Sequence, residues 1–308
     1  MAFSLGNLNQ YVGQEDLFVR SIMGGSLISD TDYPITVIPN IKGKTDIPIL
    51  NTTLQPQVGS CSWNPSGTTA INSLAIEVSA VKFDEELCVA DLDKMLPIWK
   101  VKAGSYDAQL PEEAIFAMER AELISAYNEE LIFLGNKVSG VAGLNKANGI
   151  FAQLDSATYS GVTQRESVSA VTVSNIISVV DSLVAKLDKN VLARQDKVLY
   201  MSMASFIKYC QAVRTANLYH FPIDFNPLQG VRHLESGIMI KPKIGMMDSQ
   251  RMLLTYSNNV IYACDLASDI ENFKFVPDLT GRTILFVADF KVAGYVYVPA
   301  QCVVLDIA

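Results

Sequence analysis

The chain has 308 residues, of which 49% are hydrophobic and 18% are charged. This composition is sufficient for a large buried core and excludes disorder along the whole chain. The 32 acidic and 24 basic residues give a net charge of −8, which argues against a generally basic surface that would bind nucleic acid.

The cysteine pattern predicts neither a disulfide framework nor a zinc site, because the number is odd and no two cysteines are closely spaced. The five are Cys61, Cys88, Cys210, Cys264 and Cys302. The amino terminus lacks the basic and apolar regions of a secretory signal, and no apolar run approaches the ~20 residues that span a bilayer. We therefore expect a soluble protein that is made in a cytoplasm and does not bind a membrane.

The first part of the chain predicts an arm followed by a long β-hairpin. Residues 1–30 are rich in Gly, Ser and Asn without a sustained period, which is typical of an extended arm. Residues 33–50 alternate between apolar and polar, and the returning stretch changes its apolar face near Ser79 and Ala80, which predicts a bulge or bend there. An isolated two-stranded ribbon is marginal in water, so this hairpin should lie on another surface.

A long helix is predicted over 111–135, because Pro111 suits its first turn and Gly135 its end. Its apolar stripe comprises Ala114, Ala117, Ala121, Ile124, Leu131 and Leu134. Six glutamates against the lone Arg120 predict an acidic exposed face, and these are Glu112, Glu113, Glu119, Glu122, Glu129 and Glu130.

The second half of the chain alternates between helices and strands. Helical periodicity begins near Ser174, and a strand over 198–203 precedes a helix over 205–217. Further strands are predicted over 238–244, 252–256, 260–264, 283–290 and 295–305. Helices and strands in this order predict an α+β domain.

No residue pattern predicts catalysis or a bound cofactor. Gly43-Lys44-Thr45 lacks the first glycine of a phosphate-binding loop, since Ile38 stands at that position. His220, His233 and Asp224 are residue types that bind metal, but two histidines around a loop more often serve packing or lie at the surface. We expect a protein that is not an enzyme and holds no metal or cofactor.

Several of these motifs resemble those of the major capsid proteins of tailed bacteriophages. Cys61, Trp63, Gly67 and Thr68 form a Cys-x-Trp-x-x-x-Gly-Thr turn, and a Lys-x-x-x-x-Leu-Cys element runs over 82–88. The closing apolar stretch, FVADFKVAGYVYVPAQCVVLD, and the order of the predicted elements add to the resemblance. It is greatest to the capsid proteins of phages that infect Bacteroidetes-type bacteria.

The resemblance implies an α+β Hong Kong 97-type capsid fold with four parts. These are an N-terminal arm (1–30), an extended β-hairpin loop (31–84), a peripheral domain (85–140 and 286–308) with the spine helix (111–135), and an axial domain (141–285). In this family the extended loop lies over the peripheral domain of a neighbouring subunit, and axial domains meet at the centres of hexamers and pentamers.

The implied function is structural: the chain would self-assemble into an icosahedral shell around double-stranded DNA, in a virion assembled in the host bacterial cytoplasm. Its partners would be further copies of itself, portal and scaffolding proteins, and non-specifically the packaged DNA, with a decoration protein as a further candidate. The expected inter-subunit contacts place Lys42 and Lys44 of the loop near a neighbour's acidic helix, with Glu112, Glu119 and Glu122 as contact residues. Trp63, at the distal end of the loop, is expected to anchor it on the neighbour, and burial of Trp63 against its own hairpin is the alternative. An encapsulin-like compartment shell and a tail or adhesin protein are the alternatives.

Overall fold

The computed structural model describes residues 32–53, 67–88, 112–216, 229–265, 274–278 and 283–307, apart from 234 and 248, and also Pro56 and Gly59. The predicted arm and the predicted contact residue Trp63 lie outside these ranges, as do Cys61, His220 and Asp224.

Strands and helices alternate as expected for an α+β chain. The strands are β1 (Thr36–Ile38), β2 (Lys44–Thr53), β3 (Thr68–Glu77), β4 (Ser79–Cys88), β5 (Gln164–Val168), β6 (Lys197–Ser202), β7 (Val231–Arg232), β8 (Met239–Lys243), β9 (Met252–Tyr256), β10 (Val260–Cys264), β11 (Lys274–Asp278), β12 (Thr283–Val296) and β13 (Val303–Ile307). The helices are α1 (Glu112–Leu134), α2 (Ile150–Asp155), α3 (Ile176–Lys186), α4 (Lys189–Leu192) and α5 (Met203–Thr215).

The strands form two large sheets and a separate hairpin. In the five-stranded sheet, β12 pairs with β4 on one side and with β10 and β11 on the other, and β1 adds to β10 in parallel. The six-stranded sheet has the order β5-β13-β9-β6-β8-β7. Strands β2 and β3 pair only with each other among the described residues.

Helix α1 confirms the predicted long helix, and its second half packs in the core that the two sheets share. Ile132 and Phe133 are adjacent in sequence and both buried, and the Phe133 ring lies 6.0 Å from that of Tyr200 in β6. The predicted single apolar stripe is therefore too narrow. Glu129, predicted for the exposed acidic face, is only 4% exposed, because the chain at Gly245 packs directly against its backbone.

Helices α3 and α5 cover the other face of the six-stranded sheet, where their apolar sides form a second core. Helix α3 contributes Ile176, Val180 and Leu183, and α5 contributes Phe206 and Tyr209. The Ser202 side chain accepts a hydrogen bond from the backbone N–H of Ser205 and caps α5. The central strands of this sheet are thus buried on both faces.

The predicted interruption between strands 283–290 and 295–305 is wrong, because β12 runs unbroken to Val296. A Cβ atom at Gly294 would lie 2.5 Å from the carbonyl oxygen of Ile132 in α1. Gly294 therefore permits the close approach of strand and helix, and it does not end the strand.

The predicted bend near residue 79 is confirmed. Strand β3 ends at Glu77 and pairs with β2, whereas β4 begins at Ser79 and pairs with β12. The alternation over 33–50 contains a break that the sequence did not indicate, since β1 ends at Ile38 and β2 begins at Lys44. Asn40 lies in that break with φ 64°, a left-handed conformation that Asn tolerates.

The predicted domain boundaries stay a prediction, and the sheets cross them at several places. Strand β13, within the predicted peripheral segment, pairs with β5 and β9 of the six-stranded sheet. Strand β10, within the predicted axial segment, pairs with β12 of the five-stranded sheet.

Candidate inter-subunit surfaces

The root of the β2–β3 hairpin lies on the five-stranded sheet of its own subunit. An apolar layer between them contains Ile41, Leu74, Ile76 and Val78 from the hairpin side, and Ile261, Ala263, Ala293 and Tyr295 from β10 and β12. Leu74 and Ile76 are fully buried there. The surface that the sequence required for this ribbon is therefore supplied, at the root, by the same chain.

Two tyrosine hydroxyls bind the hairpin backbone from this sheet. Tyr295 donates to the carbonyl of Glu77 at 3.2 Å and accepts from the N–H of Glu77 at 3.0 Å. Tyr297 donates to the carbonyl of Pro48 at 2.8 Å. Burial, the largest influence, raises the pKa of Tyr295 above its ordinary value, so the hydroxyl stays protonated and keeps its ability to donate.

The hairpin root and helix α1 lie on opposite faces of the five-stranded sheet. Ala293 and Tyr295 face the hairpin, whereas Val292 and Val296 belong to the core that contains α1. Adjacent residues of a strand point to opposite faces, and Gly294 approaches Ile132 of α1 on the second face. The root of the hairpin therefore cannot reach the exposed side of its own α1.

The structure places the predicted contact residues in two separate groups. Lys42 and Lys44 are exposed at the hairpin root, and Lys44 stands opposite Glu77. Glu119 and Glu122 are exposed on α1. A single subunit thus does not bring the lysines to the glutamates.

Two more of the predicted residues add little to this geometry. Glu112 is the first residue of α1. Trp63 belongs to the segment between β2 and β3 that is outside the described residues. Its predicted role stays a prediction.

The acidic face of α1 keeps its negative charge because its one arginine is engaged elsewhere. Arg120 is only 18% exposed in its side chain and binds Glu85 of β4 with two hydrogen bonds of 2.7 and 2.8 Å. Its contact with Glu119 is longer, at 3.7 Å. Paired guanidinium and carboxylate groups in this forked geometry fix α1 on β4.

Two exposed apolar side chains were missed by the sequence analysis. Ile71 on β3 is 71% exposed, on the side of the hairpin opposite to the buried Leu74. Leu123 on α1 is 58% exposed beside Glu119 and Glu122. The alternation along β3 would have indicated that Ile71 is exposed, because its odd position places it on the face opposite to Leu74 and Ile76.

A network of two arginines and two aspartates ties the edge of the six-stranded sheet to α2. Arg165 contacts Asp155 at 3.0 Å and Asp306 at 2.5 Å, and Arg251 contacts the same two carboxylates at 2.8 and 2.5 Å. Burial alone would raise the pKa of Asp155, but the hydrogen bonds and charges of Arg251 and Arg165 outweigh it and lower that pKa. No sequence pattern predicted this network.

The described residues contain no group of three or more His, Cys, Asp or Glu side chains suited to hold a metal ion. Among the helices that the structure describes, none is long and apolar enough to cross a membrane.

No protein-family model matches the chain, and no curated protein sequence matches it significantly. Several solved capsid structures do match its fold. A chain from the capsid of an empty GTA particle has a TM-score of 0.58 and 17% identity, with 89% of this chain and 88% of that chain covered. A chain of the satellite phage P4 procapsid, which includes the size determination (Sid) protein, has a TM-score of 0.55 and 13% identity, with 98% and 99% covered.

A chain from the capsid of Myoviridae phage XM1 has a TM-score of 0.57 and 12% identity, with 89% of this chain and 90% of that chain covered. Structural similarity at sequence identities this low shows a shared fold and does not show a shared function. In line with its hairpin, long helix and two mixed sheets, the chain has the α+β Hong Kong 97-type fold of phage capsid chains.

Proposed function

We propose that this chain is the major capsid protein of a tailed bacteriophage. Many copies would form hexamers and pentamers of an icosahedral shell that encloses double-stranded DNA, after assembly in the cytoplasm of a bacterial host. The role is structural and not enzymatic. A host among Bacteroidetes-type bacteria is the finer part of this proposal, supported by the sequence motifs around Trp63 and over 82–88.

The observation that carries the proposal is a capsid-like fold over nearly the whole chain, together with a hairpin that one subunit covers on one face only. The match spans 98% of the chain in the P4 procapsid comparison. The hairpin buries Leu74 on its own sheet and leaves Ile71 exposed on the other side. Such a half-covered ribbon fits a protein that is completed by its neighbours.

In the proposed shell, the hairpin of one subunit docks on the spine helix of the next. Lys42 and Lys44 would approach Glu119 and Glu122 of the neighbour, because the five-stranded sheet separates the two groups within one subunit. Glu112 would extend the acidic surface and Trp63 would anchor the distal end. An exposed ion pair contributes about 0–1 kcal/mol, so apolar contacts would supply most of the stability.

The proposed partners are further copies of the chain, a portal protein, a scaffolding protein and the packaged DNA, with a decoration protein as a further candidate. The presence of the Sid protein in the similar P4 procapsid supports an accessory assembly protein. The net charge of −8 suits an inner surface that does not hold DNA tightly.

The direct test is expression of the chain with and without its neighbouring phage genes, followed by sedimentation and negative-stain microscopy. Closed icosahedral shells or isolated hexamers and pentamers are expected. A chain that stays monomeric under both conditions would overturn the proposal. Shells that enclose protein cargo, with no DNA and no portal vertex, would instead identify an encapsulin-like compartment.

Reversal of Lys42 and Lys44 to Glu tests the docking contact. Because both side chains are exposed, the subunit should fold normally, while repulsion from the neighbour's glutamates lowers the yield of particles and changes their salt tolerance. Combining this change with Glu119→Lys and Glu122→Lys should restore assembly in part. Unchanged particle yield and salt tolerance in the lysine variant would count against the contact.

A further inference from the structure

We propose that Tyr295 and Tyr297 are positioning residues that fix the direction in which the hairpin leaves the subunit. This inference rests on the proposed function and adds to it, since docking requires the distal end of the hairpin to arrive at a defined place. The two tyrosines lie at and just beyond the end of β12. Both face the hairpin and both bind its backbone.

The two hydroxyls hold the hairpin at two separate points. Tyr295 binds Glu77, which stands opposite Lys44 at the start of the hairpin. Tyr297 binds Pro48, which stands opposite Ser73. Four residue pairs separate the two points along the strands, or about 13 Å at the rise of a strand. One attachment point would leave a pivot, whereas two points define a direction.

The distance to the tip explains why direction matters. The paired strands continue from Pro48 to Thr53. From Lys44 to Thr53 they comprise ten residues, a span of about 30 Å. A tilt of about 10° at the root would displace the far end by roughly 5 Å, which exceeds the spacing of neighbouring strands. A small loss of order at the root therefore becomes a loss of register at the neighbouring subunit.

Backbone attachment suits this task better than side-chain packing alone. The apolar layer around Leu74 and Ile76 resists separation of hairpin and sheet, but apolar contact is not directional. A hydrogen bond to a fixed carbonyl is directional. Proline has no backbone N–H to donate, so its backbone can form hydrogen bonds only through its carbonyl oxygen. The Tyr297 hydroxyl donates to that oxygen in Pro48.

Two further contacts strengthen the first attachment point. The N–H of Val78 donates to the carbonyl of Gly43 at 3.2 Å, and the Lys137 ammonium group lies 3.1 Å from the Glu77 carboxylate. Pro48 lies farther along the hairpin than these contacts, toward its distal end. Tyr297 is the outermost of these attachments, and its loss should have the clearest effect on direction.

The test is Tyr297→Phe in the full chain, with Tyr295→Phe/Tyr297→Phe as the stronger variant. Both substitutions keep the rings and remove only the hydroxyls. The matched control is Tyr127→Phe, which removes a tyrosine hydroxyl that donates to the carbonyl of Gly143 and not to the hairpin backbone. Hydrogen exchange by mass spectrometry reports the order of β2 and β3 in unassembled subunits. Microscopy reports the share of closed, regular particles.

We expect exchange in β2 and β3 to become roughly fivefold faster in Tyr297→Phe, as for the loss of one ordinary hydrogen bond, and faster again in the double variant. Exchange in the six-stranded sheet should stay unchanged. Irregular or open particles should increase relative to the Tyr127→Phe control.

The inference would be overturned if the tyrosine variants had wild-type exchange rates in β2 and β3. It would also be overturned if exchange in the hairpin were faster but the variants still formed particles as regular as those of the wild type. Failure of the wild-type chain to form shells is a different result. It would overturn the proposed function, while the exchange comparison would still decide whether the tyrosines hold the hairpin.

Discussion

The centre of the six-stranded sheet and the β2–β3 hairpin differ in how many of their faces are buried within one subunit. In the sheet, successive residues of β6 and β9 are buried on both faces, with Val198 and Leu253 in one core and Leu199 and Leu254 in the other. In the hairpin only one face is buried, and Ile71 on the opposite face is 71% exposed. Within one subunit the centre of the sheet is covered on both faces, whereas the described part of the hairpin is covered on one face.

The difference indicates where a single subunit obtains its stability and where an assembly would obtain its contacts. Two layers of side chains support each central strand of the sheet, so a loss there should affect the whole subunit. One apolar layer and two tyrosines support the hairpin root, so a loss there should stay local. Variants in the two regions can separate these outcomes.

The largest effect is expected from Leu254→Ala in β9. Leu254 is fully buried, and truncation of a buried leucine costs about 2–5 kcal/mol in the free energy of unfolding. Denaturant unfolding of the subunit, followed by far-UV circular dichroism, should show this loss in a single shifted transition.

Leu74→Ala is the matched variant in the hairpin, since Leu74 is buried to the same extent. We expect faster hydrogen exchange in β2 and β3 and a much smaller shift of the main unfolding transition. An equal shift for the two leucine variants would show that hairpin and sheet unfold together, and that the hairpin is not a locally stabilised region.

A smaller and pH-dependent effect is expected from Asp155→Asn in the arginine–aspartate network. Arg165 and Arg251 bind this carboxylate and also bind Asp306, and the pKa of Asp155 in the folded state is lowered. Its contribution to stability is therefore present above the unfolded-state pKa of about 3.9 and is lost as the pH falls through the lower, folded-state value.

At pH 7 the free energy of unfolding of the Asp155→Asn variant should be about 1 kcal/mol lower than that of the wild type. The loss is small because solvent screens the charge of a side chain that is 42% exposed. The difference from the wild type should shrink as the pH falls below about 3.9 and disappear once the pH is below the lowered pKa of Asp155. Asp84→Asn, in an exposed pair with Lys82, is the control and should change little at either pH. A difference between Asp155→Asn and the wild type that persists at low pH would contradict the electrostatic explanation.

Local patterns predicted most of the elements because local physics determines them. The apolar runs over 252–256 and 260–264 became β9 and β10 at the predicted bounds, and the helix predicted over 111–135 became α1. The errors arose where distant parts of the chain meet. Burial of Glu129 depends on the chain at Gly245, and the continuity of β12 at Gly294 depends on the approach of α1.

The candidate site was less predictable than the fold for the same reason. Charge patterns indicated Lys42, Lys44, Glu119 and Glu122 as contact residues, and exposure in the structure is consistent with that hypothesis without testing it. The tyrosine anchors could not be predicted, because Tyr297 and Pro48 are separated by 249 positions. The packing of the hairpin on the sheet brings them together.

The smallest effect on the isolated subunit is expected from Ile71→Ser, and it gives the sharpest test of the comparison. An exposed isoleucine contributes little to folding, so the free energy of unfolding should change by less than about 0.5 kcal/mol. If the second face of the hairpin is completed by a neighbouring subunit, burial of Ile71 there contributes about 1.5 kcal/mol or more. The concentration needed for assembly should then rise roughly tenfold, as light scattering would detect.

Val138→Ser changes another exposed side chain, in the loop after α1, and should leave that concentration nearly unchanged. Equal effects of the two substitutions would mean that a neighbouring subunit does not bury the exposed face of the hairpin.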